Sequence, residues 1–352
     1  MILKGYAYLA LGETGWVEKE RPTAHGIDAV VRPLCISPCT SDVHNVEMGY
    51  ISPRRILGHE GVAEVVEVGD GVKDFKPGDL VVVPALTPNL RTLMSQKGVP
   101  QHCNGPLSGN IISNVTDGLM AEYTWIPDAD MNLAKLPEGV PLESAVMACD
   151  MMTTGLFAAE LADIQFGDTV AVLGIGPVGL MAVAGARLRG AGRIFAIGSR
   201  PVCVEAAKLY GASDIVNYKE GDVVRQIYEA THKQGVDKCI IAGGGNNALD
   251  QAISMVRYGG VIGNVNYFTT SGDLCFSNPR WGYGMSNKTI RCGLTSGGRV
   301  RMEAMLSLIR YGRIDPSHLV THHYHGFSAI DDAYQIMAQK PADLIKACVS
   351  LS

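Results

Sequence analysis

From Asp168 onward the chain alternates short apolar runs with amphipathic stretches, and this rhythm limits the fold more than any other feature. Residues 169–173, 193–197, 214–216, 238–241 and 261–265 read as strands. Residues 178–188, 203–210, 223–230 and 248–256 read as the helices between them. Strand–helix repeats at this spacing imply βαβ crossovers and a parallel sheet. The first 150 or so residues have another texture. Runs at 29–31, 61–68 and 80–83 are β-like and separated by turn formers such as Gly69-Asp70-Gly71 and Lys76-Pro77-Gly78-Asp79. Residues 87–118 are polar, bear Gly, Pro and Asn, and show little periodicity, so they read as a long functional loop. A helical pattern covers 302–311, and the mixed tail is expected to rejoin the first domain. The expectation is an α/β protein of two domains, residues 1–153 with 295–352 and residues 154–294.

The chain's 352 residues suffice for two domains with a substantial core. Apolar residues at 47% and charged residues at 18% place it among ordinary globular proteins. A net charge of -5 argues against a general nucleic-acid or anionic-membrane surface. Residues 1–17 have neither a basic n-region nor a long apolar stretch, and no apolar run approaches the ~20 residues of a membrane span. Nine cysteines, an odd number scattered singly, form no disulfide framework, so a reducing cytoplasm is expected.

At the first strand–helix junction stands Gly174-Ile175-Gly176-Pro177-Val178-Gly179. In that context the glycines serve a tight turn, close approach of the backbone to a pyrophosphate, and close helix–strand packing. The end of the next strand chooses between dinucleotides. A carboxylate there would accept from a ribose 2′-hydroxyl; this chain has Gly198-Ser199-Arg200 instead. Gly198 removes the repulsion, Ser199 can donate, and Arg200 can fork onto a 2′-phosphate. NADP(H) is the expected cofactor.

Two distant stretches, Cys39 to His44 and Gly58-His59-Glu60, bring together a thiol, an imidazole and a carboxylate, and Asp150 is a plausible further oxygen ligand. Mixed sulfur, nitrogen and oxygen ligation with an open position belongs to catalytic zinc rather than to a structural cysteine cage. Cys35, Cys103, Cys203, Cys239, Cys275, Cys292 and Cys348 have no partner at ligand spacing, and His322, His323 and His325 read as solvent-facing strand residues. Metal and nicotinamide together point to alcohol and ketone redox chemistry.

Pro38-Cys39-Thr40-Ser41-Asp42, Ile56-Leu57-Gly58-His59-Glu60, Asp150 to Gly155, Gly198-Ser199-Arg200-Pro201, Asn264-Val265-Asn266-Tyr267 and Lys340 to Lys346 are familiar runs. On them the chain, over essentially its whole length, resembles the zinc-dependent medium-chain dehydrogenases, and within them the NADP-dependent secondary alcohol dehydrogenases of anaerobic bacteria and protists. The resemblance implies a GroES-like β-rich catalytic domain, a doubly wound Rossmann domain and a homotetramer. It implies Cys39, His59 and Asp150 as zinc ligands, with Glu60 an exchangeable fourth ligand or a partner behind them. Cys149 adjoins Asp150, and counting back from Thr153-Thr154-Gly155 favours Asp150. Ser41 and His44 match the family's proton relay. Implied cofactor contacts are Ile175 to Val178, Gly198 to Arg200, Tyr218, Val265, Asn266, Tyr267 and Lys340.

Ala85, Asn110, Met151 and Leu294 are the candidate pocket walls. Only Cys103 lies where many relatives carry a four-cysteine structural zinc lobe, so one zinc per subunit is expected. Asn110 stands where close relatives often have Trp, and the loop before Gly58, with Tyr50 at its tip, is shorter; ketones bulkier than acetone become expected substrates. The alternatives are a zinc polyol dehydrogenase, a zinc-free quinone reductase, and an NADPH-binding protein without turnover.

Overall fold

The computed structural model describes residues 1–268 and 272–351, in two compact units: residues 1–153 with 295–352, and residues 154–294.

The first unit is built on a seven-stranded sheet. In order across it run Val320–His325, Lys346–Ser350, Ala29–Ile36, Gly61–Val68, Leu80–Val83 and Ala134–Lys135, while Thr124–Ile126 pairs with Ala29–Ile36 off this path. Only the pair Val320–His325 and Lys346–Ser350 is parallel; the C-terminal strand then joins Ala29–Ile36 antiparallel, with Val349 opposite Ile36. The tail thus completes the sheet of the N-terminal residues. An antiparallel hairpin, Ile2–Ala10 and Glu13–Glu20, closes over one side. Gly5, Gly12 and Gly15 interrupt the alternation of this hairpin, so its strands have no clear period-2 pattern in the sequence.

The second unit is an all-parallel six-stranded sheet in the order Asp214–Val216, Arg193–Ile197, Thr169–Leu173, Val236–Ile241, Val256–Asn264, Thr289–Cys292. This is the doubly wound order with a reversal beside Thr169–Leu173, where such sheets open a crevice at the strands' carboxyl ends. Helices cover both faces, so Thr169–Leu173 and Arg193–Ile197 are buried on all but their first residue. That explains why they read as continuous apolar runs rather than alternating ones. Phe195, Ile197, Ile227, Ile241 and Ile262 sit in the core. The strand read at 261–265 begins earlier, at Val256, because Val256 pairs with Val236 before an irregular register at 257–260. Thr289–Cys292, at the sheet edge, was not legible as a strand. Among the described residues no helix is long and apolar enough to cross a membrane.

Candidate active site

Four separate pieces of the first unit converge. Cys39 caps the helix Thr40–Met48; His59 and Glu60 immediately precede Gly61–Val68; Asp150 lies in a π-turn, Ala148–Met152; and Lys346 opens the last strand. A π-turn widens a helix by one residue and re-aims its side chains, a frequent device at functional sites. One ligand atom from each of Cys39, His59, Glu60 and Asp150 lies within 4.8 Å of the others. His59 Nε2 is 3.7 Å from Asp150 Oδ2 and 3.9 Å from Glu60 Oε1, and Cys39 Sγ is 3.8 Å from Asp150 Oδ2. Cys149 is turned away, its thiol donating to the carbonyls of Gly61 and Ala145.

Behind these atoms stand two residues whose roles were not read from the sequence. Asp42 is fully buried and accepts from the amides of Cys39 (3.0 Å) and Gly58 (3.2 Å), from Ser113 Oγ (3.1 Å) and from His59 Nδ1 (3.3 Å). Burial alone would raise its carboxyl, but the His59 imidazole and the amides outweigh burial and hold it below the usual range. Burial likewise disfavours a charged His59, while Asp42 first and Asp150 next raise its pKa well above the ordinary value. The carboxylate that favours a proton on the ring equally favours a cation at Nε2, which faces the other donors. The available signal was Asp42's place three residues after Cys39, at the first turn of a helix.

Lys346 is the second. It and Glu60 are both completely buried, with Nζ donating to Glu60 Oε1 at 2.8 Å and to the Pro38 carbonyl at 2.9 Å. Burial opposes the ammonium, but Glu60 and Cys39 raise its pKa, so the cation is retained. Glu60 Oε2 remains buried without a partner. Formal charges on Cys39, Glu60, Asp150 and Lys346, when all are ionised, sum to −2, which a divalent cation neutralises. The orphaned oxygen, the donor types and the spacing therefore fit zinc.

Ser41 Oγ is 3.3 Å from His59 Nε2, beside the donor cluster. His44 lies one turn further along the same helix, half-buried, with no hydrogen bond to Ser41. Its burial and the Lys340 charge hold His44 below its usual pKa, with Glu47 opposing. Ala85 and Met151 are buried and Asn110 is partly exposed, all in this unit; Leu294 is the last residue of the other. His323 pairs instead with Glu143 at 2.8 Å, and His322 and His325 do not join the cluster.

In the second unit, Gly174, Ile175, Gly176, Gly198, Ser199, Arg200 and Tyr218 line a cavity of about 560 Å³ at the carboxyl end of the sheet. Gly174 has φ +83°, and a Cβ on Gly179 would overlap the Gly174 carbonyl, so neither tolerates a side chain. Gly176 caps the helix Pro177–Leu188, and Pro177 at its first position lends no amide. Ser199 Oγ is buried without a partner and Arg200 supplies a cation, a pair suited to a phosphate monoester. Pro177, Val178 and Gly179 shape the turn without lining the cavity, and Val265, Asn266 and Tyr267, which follow Val256–Asn264, are not in its wall either. Lys340 belongs to the first unit, exposed at the end of the helix Ile330–Gln339. Cys203, Asp222 and Gln251 line the cavity and were not anticipated.

Residues 26–138 match the family "Alcohol dehydrogenase GroES-like domain" and residues 177–310 match "Zinc-binding dehydrogenase". The chain is 58% identical over 352 residues to the NADP-dependent isopropanol dehydrogenase of Thermoanaerobacter brockii, covering 99% of this chain and all of that protein. It is 56% identical over 351 residues to the enzyme of the same name from Clostridium beijerinckii, again covering 99% and 100%. A solved structure of alcohol dehydrogenase TADH from Thermus sp. ATN1 superposes with TM-score 0.88 at 30% identity, over 99% of this chain and 100% of that one. With full-length relatives this similar and both domain families matched, the chain belongs to the zinc-dependent medium-chain alcohol dehydrogenases, oxidoreductases of the CH–OH group.

Proposed function

We propose that this protein is an NADP(H)-dependent secondary alcohol dehydrogenase that interconverts a secondary alcohol and its ketone at a single zinc held by Cys39, His59, Asp150 and Glu60. The observation that carries the reading is the convergence of those four donors within 4.8 Å, with Glu60 Oε2 orphaned among them. Full-length relatives named for isopropanol support a secondary alcohol as substrate. When bound, zinc supplies Lewis acidity at the substrate oxygen, and NADP(H) supplies or takes the hydride.

The chain's own residues do the rest. Asp42 fixes the His59 ring with Nε2 toward the donors. Lys346 holds Glu60 in a site from which water is excluded. Ser41 gives or takes the substrate-oxygen proton, its hydroxyl lying at the donor cluster, and His44, kept neutral by burial and Lys340, receives it one helical turn further out. Gly174 to Gly179 present backbone and a helix N-terminus to the pyrophosphate, and Ser199 with Arg200 take the 2′-phosphate. Tyr218, Val265, Asn266, Tyr267 and Lys340 are assigned to further cofactor contacts, and Ala85, Asn110, Met151 and Leu294 to substrate walls. A small Asn110 side chain admits ketones bulkier than acetone.

The working form is a cytoplasmic homotetramer with one catalytic and no structural zinc per subunit, binding neither nucleic acid nor membrane. NADPH oxidation over ketones of graded size, repeated after chelation and with elemental analysis, tests the reading. Activity indifferent to chelation, or two zinc ions per chain, would contradict it. Light scattering in solution tests the tetramer.

A further inference from the structure

The turn at residues 111–116 reaches the metal centre from outside the pieces of chain that carry its donors. It is wound on one carbonyl, that of Ile111, which accepts from the amides of Asn114 (3.3 Å), Val115 (2.7 Å) and Thr116 (3.0 Å). Within it stands Ser113, with φ +71° and a completely buried side chain. Glycine enters that left-handed region freely and serine does not. What serine adds over glycine is a hydroxyl, and the hydroxyl donates to Asp42 Oδ1 at 3.1 Å.

The four donors to Asp42 divide by origin. The Cys39 amide reaches Oδ2 at 3.0 Å, while the Gly58 amide and His59 Nδ1 reach Oδ1 at 3.2 and 3.3 Å. Those three come from two metal-donor residues and the neighbour of one. Ser113 is the fourth, 71 residues from Asp42 along the chain. Its turn is anchored separately on both sides. Asn45, on the helix Thr40–Met48, donates from Nδ2 to Asn114 Oδ1 at 2.8 Å. Just past the turn, Asp117 Oδ1 accepts from the Ile56 amide at 3.1 Å, and the Leu119 amide donates to the Gly58 carbonyl at 2.8 Å. A Cβ on Gly118 would overlap the carbonyls of Leu57 and Gly58, so the two backbones lie in contact. The turn thus bridges the helix that Cys39 caps and the segment that ends in His59.

We infer that Ser113 is a positioning residue for the metal: through Asp42 its hydroxyl fixes the His59 ring, and it couples the order of the 111–116 turn to occupancy of the donor cluster. This rests on the zinc reading above and adds to it a second element that responds to the ion. Gly58 and His59 are consecutive, so a carboxylate oxygen held by them alone can follow the ring as it rocks. A bond from a separately anchored turn resists that motion. Coupling between two sites is reciprocal: if the turn steadies the ring for a cation, the cation steadies the turn.

The test measures zinc affinity by competition with a chromophoric chelator, for wild type, Ser113→Ala and Ser113→Gly. Alanine removes the hydroxyl and keeps the backbone strain, whereas glycine removes both. Both variants should bind zinc about 3–10-fold more weakly, short of the 10–100-fold typical of a residue that touches the ligand itself, because Ser113 acts at one remove. A serine kept only for the fold would leave the glycine variant at wild-type affinity, and that result overturns the inference. In an Asp42→Asn background, Ser113→Gly should weaken zinc less than about 2-fold further, since the hydroxyl acts through that carboxylate; the full additional loss would overturn the route. Hydrogen exchange at the amides of 114–116 reads the reciprocal effect. Zinc should slow it about 3-fold or more in the wild type and have little effect in Ser113→Gly. Equal slowing in both overturns the coupling. Should Ser113→Ala fail to fold, the glycine variant, which relieves the backbone, decides. A wild-type protein that binds no zinc overturns the metal reading along with the inference, whereas variants with wild-type affinity overturn the inference alone.

Discussion

Replacing Lys346 by Met removes the cation from a pair in which neither side chain touches solvent. Glu60 then either stays ionised and buried, at several kcal/mol, or takes up a proton. Protonation sets the ceiling. With an ordinary Glu pKa of 4.5, holding that carboxyl neutral at pH 7 costs about 3.4 kcal/mol, at 1.36 kcal/mol per pH unit, an upper limit on the difference because burial already raises the wild-type Glu60 above its ordinary value against the opposing pull of Lys346. The lost bond to the Pro38 carbonyl adds about 1 kcal/mol that does not vary with pH. In the variant Glu60 has a folded pKa above its unfolded one, so the penalty vanishes below the unfolded value and grows as pH rises. The ionisation part should shrink to about 0.7 kcal/mol at pH 5. For a unit of roughly 200 residues, the pH 7 ionisation penalty is a fall in Tm of about 7–14 °C. Calorimetry of wild type and variant at both pH values measures it, as a difference in which the other titrating groups cancel. A deficit equal at pH 5 and pH 7, or larger at pH 5, would refute the buried charge pair. Adding Glu60→Gln should return part of the lost stability at pH 7.

Cys39→Ala should reduce bound zinc below one per chain and lower kcat/KM by more than about 1,000-fold, with far-ultraviolet circular dichroism unchanged, since a catalytic metal is rarely the main support of a domain of this size. Asp42→Asn keeps the shape but loses the charge behind His59, and should weaken zinc affinity by about 10–100-fold in a competitive chelator titration; unchanged affinity would remove Asp42 from its orienting role. Arg200→Ala should raise KM for NADPH about 10–150-fold, the equivalent of one charge-assisted bond of roughly 1.5–3 kcal/mol, while leaving KM for NADH within about 2-fold.

The sequence was most legible where a single local rule governs. Strands 61–68, 80–83, 169–173, 193–197 and 214–216 have the bounds expected of them, because their apolar runs are framed by Gly, Pro or charged residues. The helix at Thr40–Met48 went unread, since its mixed residues carry almost no apolar stripe and its start is fixed by Cys39 and Asp42 rather than by a familiar cap. Lys346 and Glu60 lie 286 residues apart, and no local pattern announces that the last strand will return beside Ala29–Ile36 and set an ammonium against that carboxylate. Cys35 and Cys348 show the same limit. They read as isolated small hydrophobes, yet the antiparallel pairing of their strands brings the sulfurs to 3.1 Å.

Gly198 shows how a correct residue can carry an incomplete reason. From the sequence its meaning is electrostatic: no carboxylate meets the 2′-phosphate. A Cβ at that position would also collide with the side chain of Ile175, the second residue of the glycine-rich turn. The two loops that form the cavity floor are therefore fitted to each other before any cofactor arrives. Replacing Gly198 by Asp introduces both a charge and a clash, so lost NADPH use in that single variant would not separate the two causes. Pairing Gly198→Asp with Ile175→Ala makes room for the carboxylate and isolates the charge. If charge is what chooses the cofactor, the double variant should gain NADH use relative to Gly198→Asp alone, while its NADPH use stays depressed. Recovery of NADPH use by Ile175→Ala would instead show that shape, carried by a residue on the neighbouring loop, decides.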